Sequence, residues 1–269
     1  MYLGIDIGGT KTLVASIDNE GTMTEHFKIK TPHQYETFIE ELQNIVAKMT
    51  TKKFKAVGVG LPATELNREK GLAVSFGNLP WRNISIRDDL VGLLHLPVVV
   101  ENDAKLAGLS EATLLKNHHK VLYITISTGI GTALIVDKVI DTSLGDGGGR
   151  TLMVEYEGKV VPWESFASGS AIVERFGKRA EDIHDSRTWA IIGNNIALGL
   201  IDVIAMTEPD IIVIGGGVGA YLARFIDPLT EALKRYDNPL LPLPPIKEAK
   251  RPEKAVVYGC YALAKATYG

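Results

Sequence analysis

Cysteine is almost missing: Cys260 is the only one among 269 residues. A disulfide within the chain is excluded, and so is a zinc site built on a cysteine cluster. A surplus of either charge is missing too, with 32 acidic against 29 basic residues and a net charge of -3. No basic excess therefore points to nucleic acid or to an acidic membrane surface as partner. No uninterrupted apolar run reaches membrane-spanning length. Met1 leads within two residues into an apparent strand, with no basic segment and apolar core ahead of it. The expectation is a cytoplasmic protein without a signal peptide, the alternative being a secreted protein lacking its leader. What is present is ordinary for a globular chain, 45% hydrophobic and 23% charged. The length allows one large domain or two medium ones, each burying its own core.

Strands alternate with helices, which indicates an α/β fold. Residues 3–7 and 12–17 read as β-branched strands around the turn Gly8-Gly9-Thr10-Lys11. Phe38, Leu42, Ile45, Val46 and Met49 recur at helical spacing over residues 35–49. A short buried strand at 56–59 is expected to stop at Gly60-Leu61-Pro62. A helix at 86–94, a strand at 98–100 and a helix at 103–115 follow. The opening arrangement then returns: a strand at 121–127, the turn Thr128-Gly129-Ile130-Gly131, and a strand at 132–136. Residues 4–18 and 124–138 share that layout, so a duplicated architecture is expected, with a boundary near 117–120. Helices are expected at 168–176, 189–206 and 255–267, a strand at 211–214, a flexible loop at 146–149 and a proline-rich loop at 238–252.

Four segments carry residues suited to chemistry. In Asp6-Ile7-Gly8-Gly9-Thr10-Lys11 the glycines let backbone N–H groups approach phosphate oxygens, and Thr10 and Lys11 add a hydroxyl and a positive charge. Asp6, at a strand end, can hold magnesium through water. A Walker A loop does not fit, because Thr10 stands in the lysine position and a strand follows instead of a helix. A phosphate loop and a plain hairpin turn remain alternatives. The turn at 128–131 has the same setting, and two such turns can clasp a polyphosphate. Glu101-Asn102-Asp103-Ala104 lies where an apolar strand meets a helix, the end of open α/β sheets at which ligands gather. Asp103 is either the N-cap of its helix or a general base for a substrate hydroxyl. Gly215, Gly217 and Ala220 match a dinucleotide fingerprint, but residues 234–245 supply no strand ending in an acid. A glycine turn against an adenosine fits equally well. His118-His119, Ser127 and Ser165 have no partners in sequence that suggest a metal or a nucleophile.

Together these segments resemble the ROK family of bacterial sugar kinases and sugar-responsive repressors, over nearly the whole chain and in the family's order. Gly4-Ile5-Asp6-Ile7-Gly8-Gly9-Thr10-Lys11 and Thr128-Gly129-Ile130-Gly131 resemble its two phosphate motifs. Gly58-Val59-Gly60-Leu61-Pro62 is similar to the segment before the sugar pocket, and Asn78-Leu79-Pro80-Trp81 to the loop whose asparagine touches sugar. Glu101-Asn102-Asp103-Ala104 is similar to the catalytic segment. Trp163-Glu164-Ser165-Phe166-Ala167-Ser168-Gly169 resembles the sugar-binding glutamate segment, and Gly215-Gly216-Gly217 the adenosine motif.

The resemblance implies an actin-like ATPase (RNase H-like) fold of two duplicated lobes, with the active site in the interlobe cleft. One lobe would be residues 1–116, rejoined by the helix at 255–269; the other would be residues 117–254. It implies ATP with Mg2+, its phosphates at Gly8, Gly9, Thr10, Lys11, Thr128, Gly129 and Gly131, its adenosine at Gly215, Gly216 and Gly217. A hexose or amino-hexose would bind at Asn78, Asn102, Asp103 and Glu164, with Asp103 as base and Asp6 holding Mg2+ through water. A homodimer is left open. The family's repressors carry a helix-turn-helix domain for which this chain leaves no room, and many members bind zinc through one histidine and three cysteines, which this chain lacks. A Glu-x-Gly-His element usually adds a glutamate and a histidine to the sugar site. Here those positions fall on Gly149 and Leu152, with Glu155 or Glu157 as substitutes. The rival readings are a non-catalytic sugar or nucleotide sensor on the kinase fold, and a Rossmann oxidoreductase.

Overall fold

The computed structural model describes residues 1–236, 238–251 and 253–269, so Asp237, and Pro252 at the end of the expected proline-rich loop, lie outside the described residues. The chain divides into two compact units, Met1–Ser110 with Glu253–Gly269, and Glu111–Pro252.

The first unit is built on a five-stranded sheet. Its strands are β1 (Tyr2–Ile7), β2 (Lys11–Ile17), β3 (Met23–Lys30), β4 (Val57–Leu61) and, after the small sheet of β5 (Ala63–Asn67), β6 (Leu72–Phe76) and β7 (Arg82–Ile84), β8 (Val98–Asn102). The order is β3-β2-β1-β4-β8. β1, β4 and β8 pair parallel, while β2 pairs antiparallel with both β1 and β3. β1 and β4 are apolar on both faces, as parallel strands covered on two sides must be. One cover includes α1 (Tyr35–Lys48) and α2 (Ile86–Leu94), whose Phe38, Leu42 and Leu90 join Ile5, Val59 and Trp81 in one core. On the other side the closing helix Ala255–Tyr268 lies on β1 and β4. It comes so close that a Cβ at Gly58 would stand 2.2 Å from the Cys260 carbonyl oxygen, so only glycine fits there. Cys260 itself is buried, and burial first and Asp6 second push its thiol well above the usual range, which leaves it inert.

The second unit repeats this plan. β9 (Lys120–Ile126), β10 (Ile130–Val136) and β11 (Val139–Asp141) are followed, beyond the hairpin of β12 (Met153–Tyr156) and β13 (Lys159–Pro162), by β14 (Ile211–Gly215) and β15 (Ile246–Glu248). The order is β11-β10-β9-β14-β15, with β10 antiparallel to both its neighbours and β9, β14 and β15 pairing parallel, as in the first sheet. α3 (Asp103–Thr113) belongs to the first unit as far as Ser110, and around the second sheet stand α4 (Glu164–Ala167), α5 (Gly169–Phe176), α6 (Ser186–Thr207), α7 (Gly216–Gly219) and α8 (Leu222–Lys234). α6 and α8 pack together, with Trp189, Ile196 and Leu200 meeting Phe225 and Leu229 in the core. By length and composition α6 is apolar enough to cross a membrane, but most of its apolar window is buried inside the protein. Asn194, Asn195 and Asp202 interrupt it.

Three expectations change. β4 runs through Gly60 and Leu61, and Pro62, which has no N–H for the ladder, ends it. Within the expected flexible loop at 146–149, Gly148 begins a helical turn that runs to Arg150 and in which Gly149 is buried. The expected loop at 238–252 contains β15, an edge strand hidden behind Pro242, Pro244 and Pro245.

Candidate active site

In the first unit the carboxyl ends of β1, β4 and β8 form one edge. The pairing sets Asp6 beside Gly60 and Gly60 beside Glu101, so Asp6 and Asp103 arrive at that same edge from strands two apart. Asp6 is pushed up to about 7, by burial first and by the Asp103 carboxylate second, with Lys28 pulling the other way. A buried carboxyl with a second carboxylate acting on it is a donor set that suits a divalent cation.

The carboxyl of Asp6 has a consequence for stability. Its folded value lies above the ordinary 3.8. The stability it favours is therefore fully present below about pH 4 and is lost as pH rises through about 7. Asp6→Asn is expected to out-melt the wild type by a margin that grows from pH 4 to pH 8. Thermal melts across that range check it, and a margin that stays flat or shrinks contradicts it.

The first glycine turn leaves β1 and returns at once as β2, so it is a hairpin. Gly8 N–H donates to the Lys11 carbonyl (3.0 Å), and Thr31 holds the turn from β3's end by donating its hydroxyl to the Gly8 carbonyl (2.7 Å) and its N–H to the Thr10 carbonyl (3.0 Å). Thr10 and Lys11 are exposed. A Cβ at Gly9 would stand 2.5 Å from Asn78 Cβ, so the turn lies directly against the loop that carries Asn78. Leu79 and Trp81 anchor that loop in the core, and Trp81 Nε1 donates to the His33 carbonyl (2.9 Å).

The N-cap of α3 is Asn102 and not Asp103: Asn102 Oδ1 accepts the Lys105 N–H (3.2 Å). Asn102 Nδ2 donates to the Ala63 carbonyl (2.9 Å), so this buried amide keeps one N–H and one lone pair. Asp103 is the first helical residue, and its Oδ1 accepts the Ala104 N–H (2.7 Å). Among the described residues no three His, Cys, Asp or Glu side chains converge as a metal site.

In the second unit the turn at 128–131 joins β9 to β10, closed by Ser127 N–H on the Gly129 carbonyl (2.8 Å). Residues 163–170 wrap it. Gly169 N–H donates to the Ser127 carbonyl (2.6 Å), and fully buried Trp163 fixes the start of the segment. Glu164 Oε2 accepts the Ile130 N–H (2.9 Å) and lies where a Cβ on Gly129 would be, 2.3 Å away. Gly215 pairs with Thr125 at the end of β9, and Gly216 packs against the Ile126 carbonyl, so the third glycine motif borders this hairpin. The expected sugar, phosphate and adenosine segments of this unit are thus neighbours.

Gly149 sits against Ile130 and the Glu164 backbone, and Leu152 packs on the core, so neither position brings a polar side chain. The polar group beside Glu164 is Arg150, whose Nε lies 3.3 Å from Oε1. Glu157 pairs with Arg175 instead (3.5 Å), and Glu155 is exposed on β12. Arg150 escaped sequence reading because a single arginine in a glycine run has no periodicity or motif to mark it.

A family model described as the ROK family matches residues 2–267. A glucokinase of Streptomyces coelicolor is 27% identical over 279 residues, covering 88% of each chain. A fructokinase of Lactococcus lactis is 27% identical over 236 residues, covering 81% of this chain and 79% of that protein. The crystal structure of a ROK family glucokinase from Streptomyces griseus in complex with glucose and AMPPNP aligns with a TM-score of 0.80 at 23% identity, over 98% of this chain and 99% of that one. The fold is therefore the duplicated, two-lobed actin-like one.

Proposed function

Because this chain belongs to the ROK family, we propose that it is a sugar kinase moving the γ-phosphoryl group of ATP to a hydroxyl of a hexose or amino-hexose. The observation that carries the reading is the meeting of Asp6 and Asp103 at one sheet edge, with a glycine turn and Asn78 alongside. Glucokinase and fructokinase relatives support a hexose as acceptor, and a structural relative holding glucose and AMPPNP supports ATP as donor.

Phosphoryl transfer asks the protein mainly for positioning, charge neutralisation and a base. Asp103 takes the proton of the attacking hydroxyl as the new O–P bond forms and ADP leaves. Lys11, Gly8, Gly9 and Thr10 of the first glycine turn, and Thr128, Gly129 and Gly131 of the second, are the groups suited to phosphate oxygens. The Ile130 N–H belongs to Glu164 and is not part of the phosphate clamp. Asp6 would hold Mg2+, and the ion would neutralise phosphate charge. Asn78, Asp103 and Glu164 hydrogen-bond the sugar, joined by the remaining N–H of Asn102. Gly215, Gly216 and Gly217 border the adenosine.

A coupled ADP-release screen over a dozen hexoses and amino sugars tests this reading. Sugar-dependent ADP release is expected with at least one of them, and silence across the panel contradicts it. Tight binding of NADH and none of ATP in a fluorescence titration would replace it with the oxidoreductase reading.

A further inference from the structure

We propose that Arg68 is a positioning residue for the phosphoryl-transfer base, acting on Asp103 through Glu101 and Asn102; this rests on the kinase reading above. Arg68 lies in the turn between β5 and β6, outside every motif of the sequence. Its guanidinium grips Glu101 with two parallel bonds, Nε to Oε2 at 2.7 Å and a terminal nitrogen to Oε1 at 2.6 Å. Glu101 is nearly sealed from solvent, its side chain 7% exposed against 31% for Arg68. The same Oε1 accepts the N–H of Asn102 (2.6 Å), the residue before the base. The first residue of β5 takes hold of Asn102 as well, through the Ala63 carbonyl. The β5–β6 hairpin thus grips residues 101 and 102 from both ends of its first strand, and Asn102 in turn caps the helix on which Asp103 is the first residue.

A carboxylate this deep needs a partner, or it leaves a buried charge uncompensated. A planar, bidentate guanidinium supplies charge and direction together, whereas an ammonium supplies charge without the fork. Arg68 and Glu101 bond each other and the Asn102 backbone, and neither is assigned a ligand. Its effect falls on where the base stands, and a misplacement of about 1 Å can cost about 10²-fold in rate.

The test compares wild type, Arg68→Ala, Arg68→Lys and Glu101→Gln in steady-state kinetics, with circular dichroism to check folding. Arg68→Ala is expected to lower kcat about 10- to 100-fold, with both KM values within about threefold. Arg68→Lys and Glu101→Gln are expected in between, and added guanidinium at sub-denaturing concentration is expected to restore part of the alanine variant's kcat. If the alanine variant does not fold, the lysine and glutamine variants carry the same kcat-against-KM split. A folded alanine variant with wild-type kcat overturns the brace, as does a loss confined to sugar KM, which would make Arg68 a substrate contact. Absence of turnover in the wild type over the whole sugar panel overturns the kinase reading, and the brace with it.

Discussion

Asp103→Asn is expected to lower kcat by about 10²–10⁴-fold while leaving sugar affinity within about tenfold. Asparagine keeps the shape and one acceptor oxygen, so the Ala104 N–H that Asp103 Oδ1 now holds can stay bonded. What it loses is the ability to take a proton. Because Asn102 and not Asp103 caps α3, the helix start does not depend on the substituted carboxylate. A loss of turnover therefore reads as lost chemistry and not as a frayed helix. Turnover near the wild-type level would show that another group is the base.

Glu164→Gln and Glu164→Ala are expected to separate two jobs of one carboxylate. Its Oε2 holds the Ile130 N–H of the second glycine turn, while Oε1 faces Arg150. Glutamine keeps an acceptor for Ile130 and loses the charge. A charged hydrogen bond contributes roughly 1.5–3 kcal/mol. The sugar KM of Glu164→Gln should therefore rise about ten- to a hundredfold, with the ATP KM within about threefold. Alanine removes the acceptor too and leaves the Ile130 N–H of the turn without its partner, so the ATP KM of Glu164→Ala should rise as well. If calorimetry finds sugar binding to the glutamine variant unchanged, residues 163–169 do not form part of the sugar pocket. If the glutamine variant raises both constants equally, Glu164 serves the turn alone.

The parts of the fold legible in the sequence are those that recur or repeat a period. The two glycine hairpins are visible because β-branched runs flank Gly8-Gly9 and Gly129-Ile130-Gly131 alike, and the sheets place them at equivalent positions, between β1 and β2 and between β9 and β10. α1 is visible through Phe38, Leu42 and Ile45. α8 carries an equally regular stripe of Leu222, Phe225, Leu229 and Leu233, but Pro228 within it reads as a breaker. The proline is tolerated because its ring packs beside Gly193 of α6, a compensation supplied by tertiary contact. β5, β6 and β7 are short, with the polar run Asn67-Arg68-Glu69-Lys70 joining the first two, and no alternation marks them.

The candidate site divides the same way. Asp6, Asp103 and the glycine turns stand out as local motifs. Their electrostatic coupling does not, because it depends on the pairing of β1, β4 and β8. The partners that hold the motif residues in place, Arg68 for Glu101 and Arg150 for Glu164, lie 33 and 14 residues away in sequence. Only the folded chain brings them together.

The most direct measurement of the central claim is phosphorus NMR of the protein with magnesium, ATP and each sugar of the hexose and amino-sugar panel. For at least one sugar, the γ-phosphate signal should fall while ADP and a new sugar phosphomonoester signal rise together, and Asp103→Asn should abolish that growth. ATP that stays intact with every sugar, or that yields only inorganic phosphate, would contradict the assignment of this chain as a sugar kinase.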